Sequence, residues 1–263
     1  MKQLHFLVTG ASGFVGRHLV PHLLRQGHRV TAAVRHPGCG LPVPAVEAVV
    51  GDLAGPVEWD RVLQGVDVVV HLAGKAHDLR RPKADAILEY RRVHVGATRT
   101  LAAAAARAGI RRFVFISSVK AIGERTENGK CFTDTTPPNP SEIYGISKLE
   151  AERALFLEAA DSPMEVTILR PPLIHGPGVK GNFERLIRCI QAGWPMPLGR
   201  IDNMRSVMGV GNFCEVIEIA ASHPDTAGKT FLVADSPAIS TPELIWILAD
   251  SMNKSARLIS IPV

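Results

Sequence analysis

The chain has 263 residues, 46% of them hydrophobic and 21% charged, enough to bury a core of one large domain or a domain and a half. The mixture excludes a disordered or fibrous protein. A formal charge of +5 and a pI near 9.2 suit a phosphate-bearing small molecule, while dispersed basic residues and 5% aromatics argue against nucleic acid.

Along the chain, His5–Thr9 reads as a buried strand that breaks at glycine, and Phe14–Gln26 as a helix stopped by Gly27, with Pro21 unexplained inside it. Arg29–Val34, Val46–Val50 and Asp67–Leu72 read as strands two to four. The long Ala-rich helix Glu89–Ala108 ends at Gly109. Phe113–Ser117 follows as a strand, Ser141–Ala160 as a helix and Val166–Arg170 as strand six. Alternating strands and helices predict a parallel sheet covered on both faces, and the apolar run through Val68, Val69 and Val70 fits such burial. The expected fold is α/β, a Rossmann doubly wound parallel sheet with a smaller C-terminal lobe. Residues 1–170 form the dinucleotide-binding domain and 171–263 the substrate lobe. In that tail, Pro171-Pro172, Gly176-Pro177-Gly178 and Pro195-Met196-Pro197 punctuate the chain. Between them Asn182–Ala192 is amphipathic, and Thr230–Ala234 and Pro242–Met252 read as a strand and a helix. Leu258–Val263 reads as a strand-like run.

Cys39, Cys131, Cys189 and Cys214 are far apart without metal-binding spacing, so reduced thiols and no metal site are expected. The opening Met1-Lys2-Gln3-Leu4-His5 lacks a signal-peptide pattern, and no run of about 18 apolar residues occurs. The expectation is a cytoplasmic protein with no membrane span.

Thr9-Gly10-Ala11-Ser12-Gly13-Phe14-Val15-Gly16 joins strand one to helix one. In such a turn Gly10 allows the tight bend, Gly13 lets backbone approach a pyrophosphate and Gly16 permits close helix–strand packing, with the helix N-terminus facing the phosphates. Strand two ends in Val34-Arg35-His36, with no acid to accept from a ribose 2′-OH. Arg35 can meet a 2′-phosphate, which favours NADP(H) with NAD as the alternative; an arginine after a strand is also ordinary solvated surface. Asp52 past strand three can accept from the adenine amino group, and a plain turn aspartate is equally compatible.

Tyr144-Gly145-Ile146-Ser147-Lys148 opens a helix, and i, i+4 spacing puts Tyr144 and Lys148 on one face. An ammonium that close should lower the phenol's pKa and fit it for proton transfer. Ser117 and Ser118 end strand five, where an open α/β sheet binds ligands, and a hydroxyl there can hold a carbonyl oxygen beside the phenol. Hydride transfer to carbon with a proton to oxygen is the chemistry such a set performs.

These motifs, with Gly51-Asp52-Leu53 and His71-Leu72-Ala73-Gly74, resemble the extended short-chain dehydrogenase/reductase superfamily in its nucleotide-sugar epimerase/dehydratase group. The resemblance implies Tyr144 as acid/base, Lys148 on the nicotinamide ribose and Ser118 as the substrate-orienting hydroxyl. It implies cofactor contacts from Phe14, Val15, Leu72, Ala73, Gly74 and Ser117, adenine contacts from Asp52 and Leu53, and Pro171 beside the carboxamide. In the tail it implies Asn182 and Arg205 on the diphosphate of a nucleotide sugar and Leu198 beside its base. Lys180 and Arg205 are independently suitable charges for a diphosphate. Ile116–Glu124 and Pro172–Asn182 are most similar to bacterial UDP-4-keto-6-deoxy-N-acetylhexosamine 4-reductases of surface-polysaccharide synthesis. The expected function is therefore NADPH-dependent reduction of a C4 ketone on a UDP-linked deoxy-sugar. An NAD-dependent UDP-sugar 4-epimerase and a non-catalytic dinucleotide sensor are the alternatives. Three departures stand out: His94 where the family usually has Asn, Gly211 where it usually has Asp, and a chain shorter than most extended members. The resemblance also implies a homodimer paired through helix 89–108 and the Tyr144 helix.

Overall fold

The computed structural model describes residues 2–75, 83–127 and 130–260. Among them, β1 (His5–Thr9), β2 (Arg29–Val34), β3 (Val46–Val49), β4 (Val68–His71), β5 (Arg112–Ile116), β6 (Glu165–Arg170) and β9 (Thr230–Leu232) form one sheet in the order β3-β2-β1-β4-β5-β6-β9. Every neighbouring pair is parallel. The order reverses between β1 and β4, which leaves the carboxyl ends of the central strands as the place for a ligand. β4 and β5 are buried throughout, as strands covered on both faces must be. The helices α1 (Phe14–Arg25), α2 (Trp59–Val62), α3 (Lys83–Tyr90), α4 (Ala97–Arg107) and α5 (Ile143–Ala159) connect them. Leu101, Ala102 and Ala105 of α4 and Ala151 and Leu155 of α5 pack with Val69, Phe113 and Ile168 of the sheet in one core cluster. α1 runs through Pro21 unbroken, and nothing in the structure explains that residue.

The chain divides into two compact units, Pro172–Asn212 with the segment from Ala234 onward forming the second and the remainder the first. The undivided tail expected over 171–263 is thus interrupted by Phe213–Val233. Three features hold that segment to the first unit. β9 pairs with β6, and the buried Arg112 on β5 donates to the carbonyls of Ala220 (2.9 Å) and His223 (3.2 Å) as well as to Glu165. On α7 (Val210–Ser222), Glu218 also meets His22 at 2.7 Å and His28 at 3.3 Å, all three buried. In the second unit β7 (Leu173–His175) pairs in parallel with β8 (Val207–Gly209). α6 (Asn182–Gln191) and α8 (Thr241–Ser251) enclose a small cluster of Ile190, Met196, Ile245 and Ala249.

The long helix expected over 89–108 is divided: a π-helical turn, Arg91–Gly96, separates α3 from α4. β7, β8, α2 and α7 were not foreseen; three of them are short and lack a readable period. Leu258 makes one bridge to Met196, and residues 261–263 of the expected final strand lie outside the described residues. No described helix is long and apolar enough to cross a membrane.

Candidate functional site

At the carboxyl end of β1 the chain turns through Gly10, whose φ of 67° favours glycine. A Cβ there would lie 2.8 Å from the Ala73 amide nitrogen, and one on Gly16 would lie 2.4 Å from the Gly10 carbonyl. Both glycines are therefore demanded by backbone contacts, which bring the Leu72-Ala73 segment beside the turn. Gly13 donates to the Gly10 carbonyl at 2.9 Å and caps α1 without a side chain. The first-turn amides of Phe14 and Val15 are then available to an anion, as a pyrophosphate cradle needs. These residues fit a nicotinamide dinucleotide. At the end of β2, Arg35 and His36 are exposed, and the loop behind them is held by Glu47, which accepts from the Gly38 and Cys39 amides at 2.8 and 3.0 Å. Asp52 is exposed; it accepts from the Ala54 amide (3.1 Å) and lies 3.8 Å from Arg92. Leu53 packs partly buried against the core, and Gly74 is exposed.

The acid/base set sits where α5 approaches the end of β5. Gly145 makes that approach possible, because a Cβ there would lie 2.3 Å from the Lys120 carbonyl. The turn Val119–Ala121 begins at Ser118, whose hydroxyl accepts from the Lys120 amide at 3.2 Å. The Ser118 side chain hydrogen-bonds Tyr144. One turn along α5, buried Lys148 donates to the Ile116 carbonyl at 2.9 Å and lies 4.8 Å from the centre of the Phe115 ring. Glu124 holds the start of the helix by accepting from the Ser141 and Glu142 amides.

The electrostatics differ from the sequence expectation. Burial pushes the Tyr144 phenol up to about 12, against the lowering effect of Ser118, with Tyr90 adding to the rise. Burial pulls Lys148 down to about 8, opposed by the Glu152 carboxylate. In the protein alone, loss of water thus outweighs the opposing help that Tyr144 receives from Ser118 and Lys148 from Glu152. The Ser117 hydroxyl, read from sequence as a cofactor contact, donates instead to Glu152. The Pro171 carbonyl accepts from the Val119 amide at 2.9 Å.

Two buried histidines flank this set. His71 bonds Thr9 Oγ1 through Nδ1 at 2.6 Å and stacks on Phe115; burial, with Lys148 adding, lowers its pKa to about 3. His94, carried on the π-helical turn, lies 2.9 Å from Ser147 Oγ, and its Nε2 accepts from the Lys75 amide at 3.0 Å. Ser147 donates onward to the Tyr144 carbonyl, so His94 Nδ1 carries the proton in this arrangement. Its ring stands edge-on to Tyr144 at 5.6 Å. Burial first, then Lys148, lowers its pKa to about 3. The imidazole is neutral, and the extra residue of the π-helical turn aims it. His71, Gly145, Ser147 and Glu152 received no role from sequence; the i, i+4, i+8 stripe Tyr144–Lys148–Glu152 was a signal available for one of them.

In the second unit Asn182 is exposed at the first position of α6, and Arg205 is exposed beside β8, its backbone bridged to Ile239. Leu198 is partly buried against the small core. Near Gly211, Asp235 accepts from the Gly209 amide (2.7 Å) and from Asn212 Nδ2 (2.9 Å). No group of three or more metal-ligating side chains exists among the described residues.

Residues 6–234 match the NAD dependent epimerase/dehydratase family. The chain is 39% identical over 262 residues to a UDP-glucose 4-epimerase of Vibrio cholerae, covering 98% of this chain and 78% of that protein. It is 28% identical to an N-acetyl-alpha-D-glucosaminyl-diphospho-ditrans,octacis-undecaprenol 4-epimerase of Escherichia coli O157:H7, covering 97% and 75%. Among solved structures, MoeE5 in complex with UDP-glucose and NAD superposes with a TM-score of 0.83 at 30% identity, covering 98% of this chain and 85% of that one.

Proposed function

Since this chain belongs to the NAD dependent epimerase/dehydratase family, we propose that it is a UDP-sugar 4-epimerase that keeps its NAD through the catalytic cycle. The observation that carries this reading is the Tyr144–Ser118 hydrogen bond with Lys148 one turn below, taken with the likeness to two 4-epimerases. This reading departs from the net reductase expected from strand two.

The bound nicotinamide supplies the hydride acceptor and donor. Once ionised, Tyr144 would take the proton of the sugar's C4 hydroxyl as C4 is oxidised, and Ser118 would donate to the same oxygen; that ionisation requires the positive charge of the oxidised nicotinamide to offset the burial that raises the phenol to about 12 in the protein alone. When C4 is reduced again from its opposite face, Tyr144 would return the proton. Atoms and electrons balance with no external reductant. Lys148 places positive charge one helical turn from the phenol and would bind the nicotinamide ribose. In the second unit Asn182 and Arg205 hold the diphosphate and Leu198 the base.

A second reading, NADPH-dependent reduction of a UDP-4-keto sugar, is favoured by exposed Arg35 and the lack of an acid at the end of β2. The deciding experiment denatures purified protein, identifies the released dinucleotide, and follows UDP-glucose to UDP-galactose with no cofactor added. Released NAD and interconversion support the epimerase. Neither of these, together with NADPH binding that collapses in Arg35→Ala, transfers the assignment to the reductase. The proposed dimer through α4 and α5 predicts a twofold mass by light scattering.

A further inference from the structure

Tyr144, Lys148 and Glu152 follow one another at i, i+4 and i+8 on α5, so they form a single stripe along one face. Three consecutive residues at the end of β5 receive that stripe. Ser118 bonds Tyr144, the Ile116 carbonyl accepts from Lys148, and the Ser117 hydroxyl donates to Glu152. Glu152 is further gripped by Arg170 at the end of β6, with Nε on Oε1 at 2.9 Å and Nη2 on Oε2 at 2.5 Å. Lys148 is 4% exposed, Glu152 3%, Arg170 8% and Ser117 4%. A buried bidentate pair is geometrically rigid, and its carboxylate is a fixed negative charge one helical turn from a buried ammonium.

We propose that Glu152 is a positioning residue that acts through Lys148: clamped by Arg170 and Ser117, its carboxylate is a fixed negative charge that keeps the lysine ammonium charged beneath Tyr144. The value of this role to catalysis rests on the acid/base reading of Tyr144 and Lys148, but the electrostatic claim stands on the protein alone. The other titratable groups around the ammonium are cationic or neutral. His71 on β4 and His94 on the π-helical turn are held neutral by burial and by Lys148 itself, Tyr144 is a protonated phenol, and Arg170 offsets part of the Glu152 field. Glu152 is the group whose charge opposes the desolvation of Lys148.

The test titrates Lys148 in cofactor-free protein by NMR of 13C-labelled lysine, with Lys148→Met to assign the resonance. Glu152→Gln should move the Lys148 midpoint down by about one pH unit or more, since a lost opposite charge at close range is worth that much. A buried arginine without its partner can unfold a variant, whereas replacing both members of such a pair is often tolerated, so Glu152→Gln/Arg170→Met is the second variant. It should move the midpoint in the same direction by less, because an opposing cation leaves with the carboxylate. In turnover, the pH limb set by Lys148 should shift with the midpoint while KM for the sugar stays within twofold. A midpoint unchanged in either folded variant overturns the proposal, because a purely structural clamp alters stability and not titration. Wild-type protein that titrates as described yet turns over no nucleotide sugar leaves this inference standing and removes the proposed function instead.

Discussion

The surroundings of Tyr144 and those of Arg205 differ in kind. Around Tyr144 each polar neighbour is tied to a second group: Ser118 to its own turn, Lys148 to Ile116, His94 to Ser147 and Lys75. Backbone approaches backbone so closely at Gly10, Gly16 and Gly145 that a methyl group has no room. In the second unit Asn182, Lys180 and Arg205 are exposed, and the core beneath α6 and α8 comprises four buried residues. Proton transfer demands reacting groups placed to fractions of an ångström, which a dense shell provides. Recognition of a diphosphate by exposed cations tolerates looser placement. On the proposed function, the proton transfer falls to the tightly built region and the hold on the nucleotide sugar to the loosely built one.

That contrast can be broken by substitution. The largest effect is expected from Tyr144→Phe: kcat falls roughly 10²–10⁴-fold, as for loss of a general acid/base, with dinucleotide binding retained by fluorescence titration. A fall below tenfold would move the proton transfer to another group.

Acid exposes the same buried region. His71 and His94 have pKa values lowered to about 3 in the fold against about 6.5 unfolded. Between those values the unfolded chain binds more protons, so stability rises with pH there and is lost as pH falls below about 6.5. Each group contributes a slope of up to about 1.4 kcal/mol per pH unit. Urea midpoints measured from pH 7 to 4 should fall, and His94→Asn should remove a large part of the slope.

Gly145→Ala should cost about 1–3 kcal/mol from overpacking and lower kcat by displacing Tyr144 from Ser118. Gly211→Ala, whose Cβ meets nothing within 4 Å in α7, should be neutral or stabilising by roughly 0.5–1 kcal/mol. Thermal melts of the pair compare the two regions directly, and equal costs would abolish the distinction. The smallest effect is Arg205→Ala: KM for the nucleotide sugar rises about tenfold, the worth of one hydrogen bond to a charged group, with kcat within twofold by initial rates.

Much of the first unit was legible in sequence. The strands through β6 appear within a residue or two of their expected ends, because most are apolar runs closed within a few residues by a glycine, a charge or, after β5, a pair of serines. The glycine turn was legible because its spacing answers to backbone geometry. The π-helical turn was not: Arg91–Gly96 has the composition of ordinary helix, and only the contacts of His94 reveal why it widens. The roles of Ser117 and Glu152 were hidden for a similar reason. Ser117 alternates with Ser118 along the end of β5, so one hydroxyl faces Tyr144 and the other Glu152, a choice made by the placement of α5. The return of Phe213–Val233 to the first unit was equally unreadable, since it depends on Glu218 meeting His22 and His28 across 196 and 190 residues.

The first six strands of the large sheet, the glycine turn and the Tyr144–Lys148 spacing follow from the sequence by itself, because period, glycine spacing and helical register are local properties of a chain. The charge states of the pair, the commitment of Ser117 to Glu152 and the neutrality of His94 were decided by the tertiary structure. Each depends on how much water is removed from a group and which charge comes to stand beside it, and both are set by segments far apart along the chain.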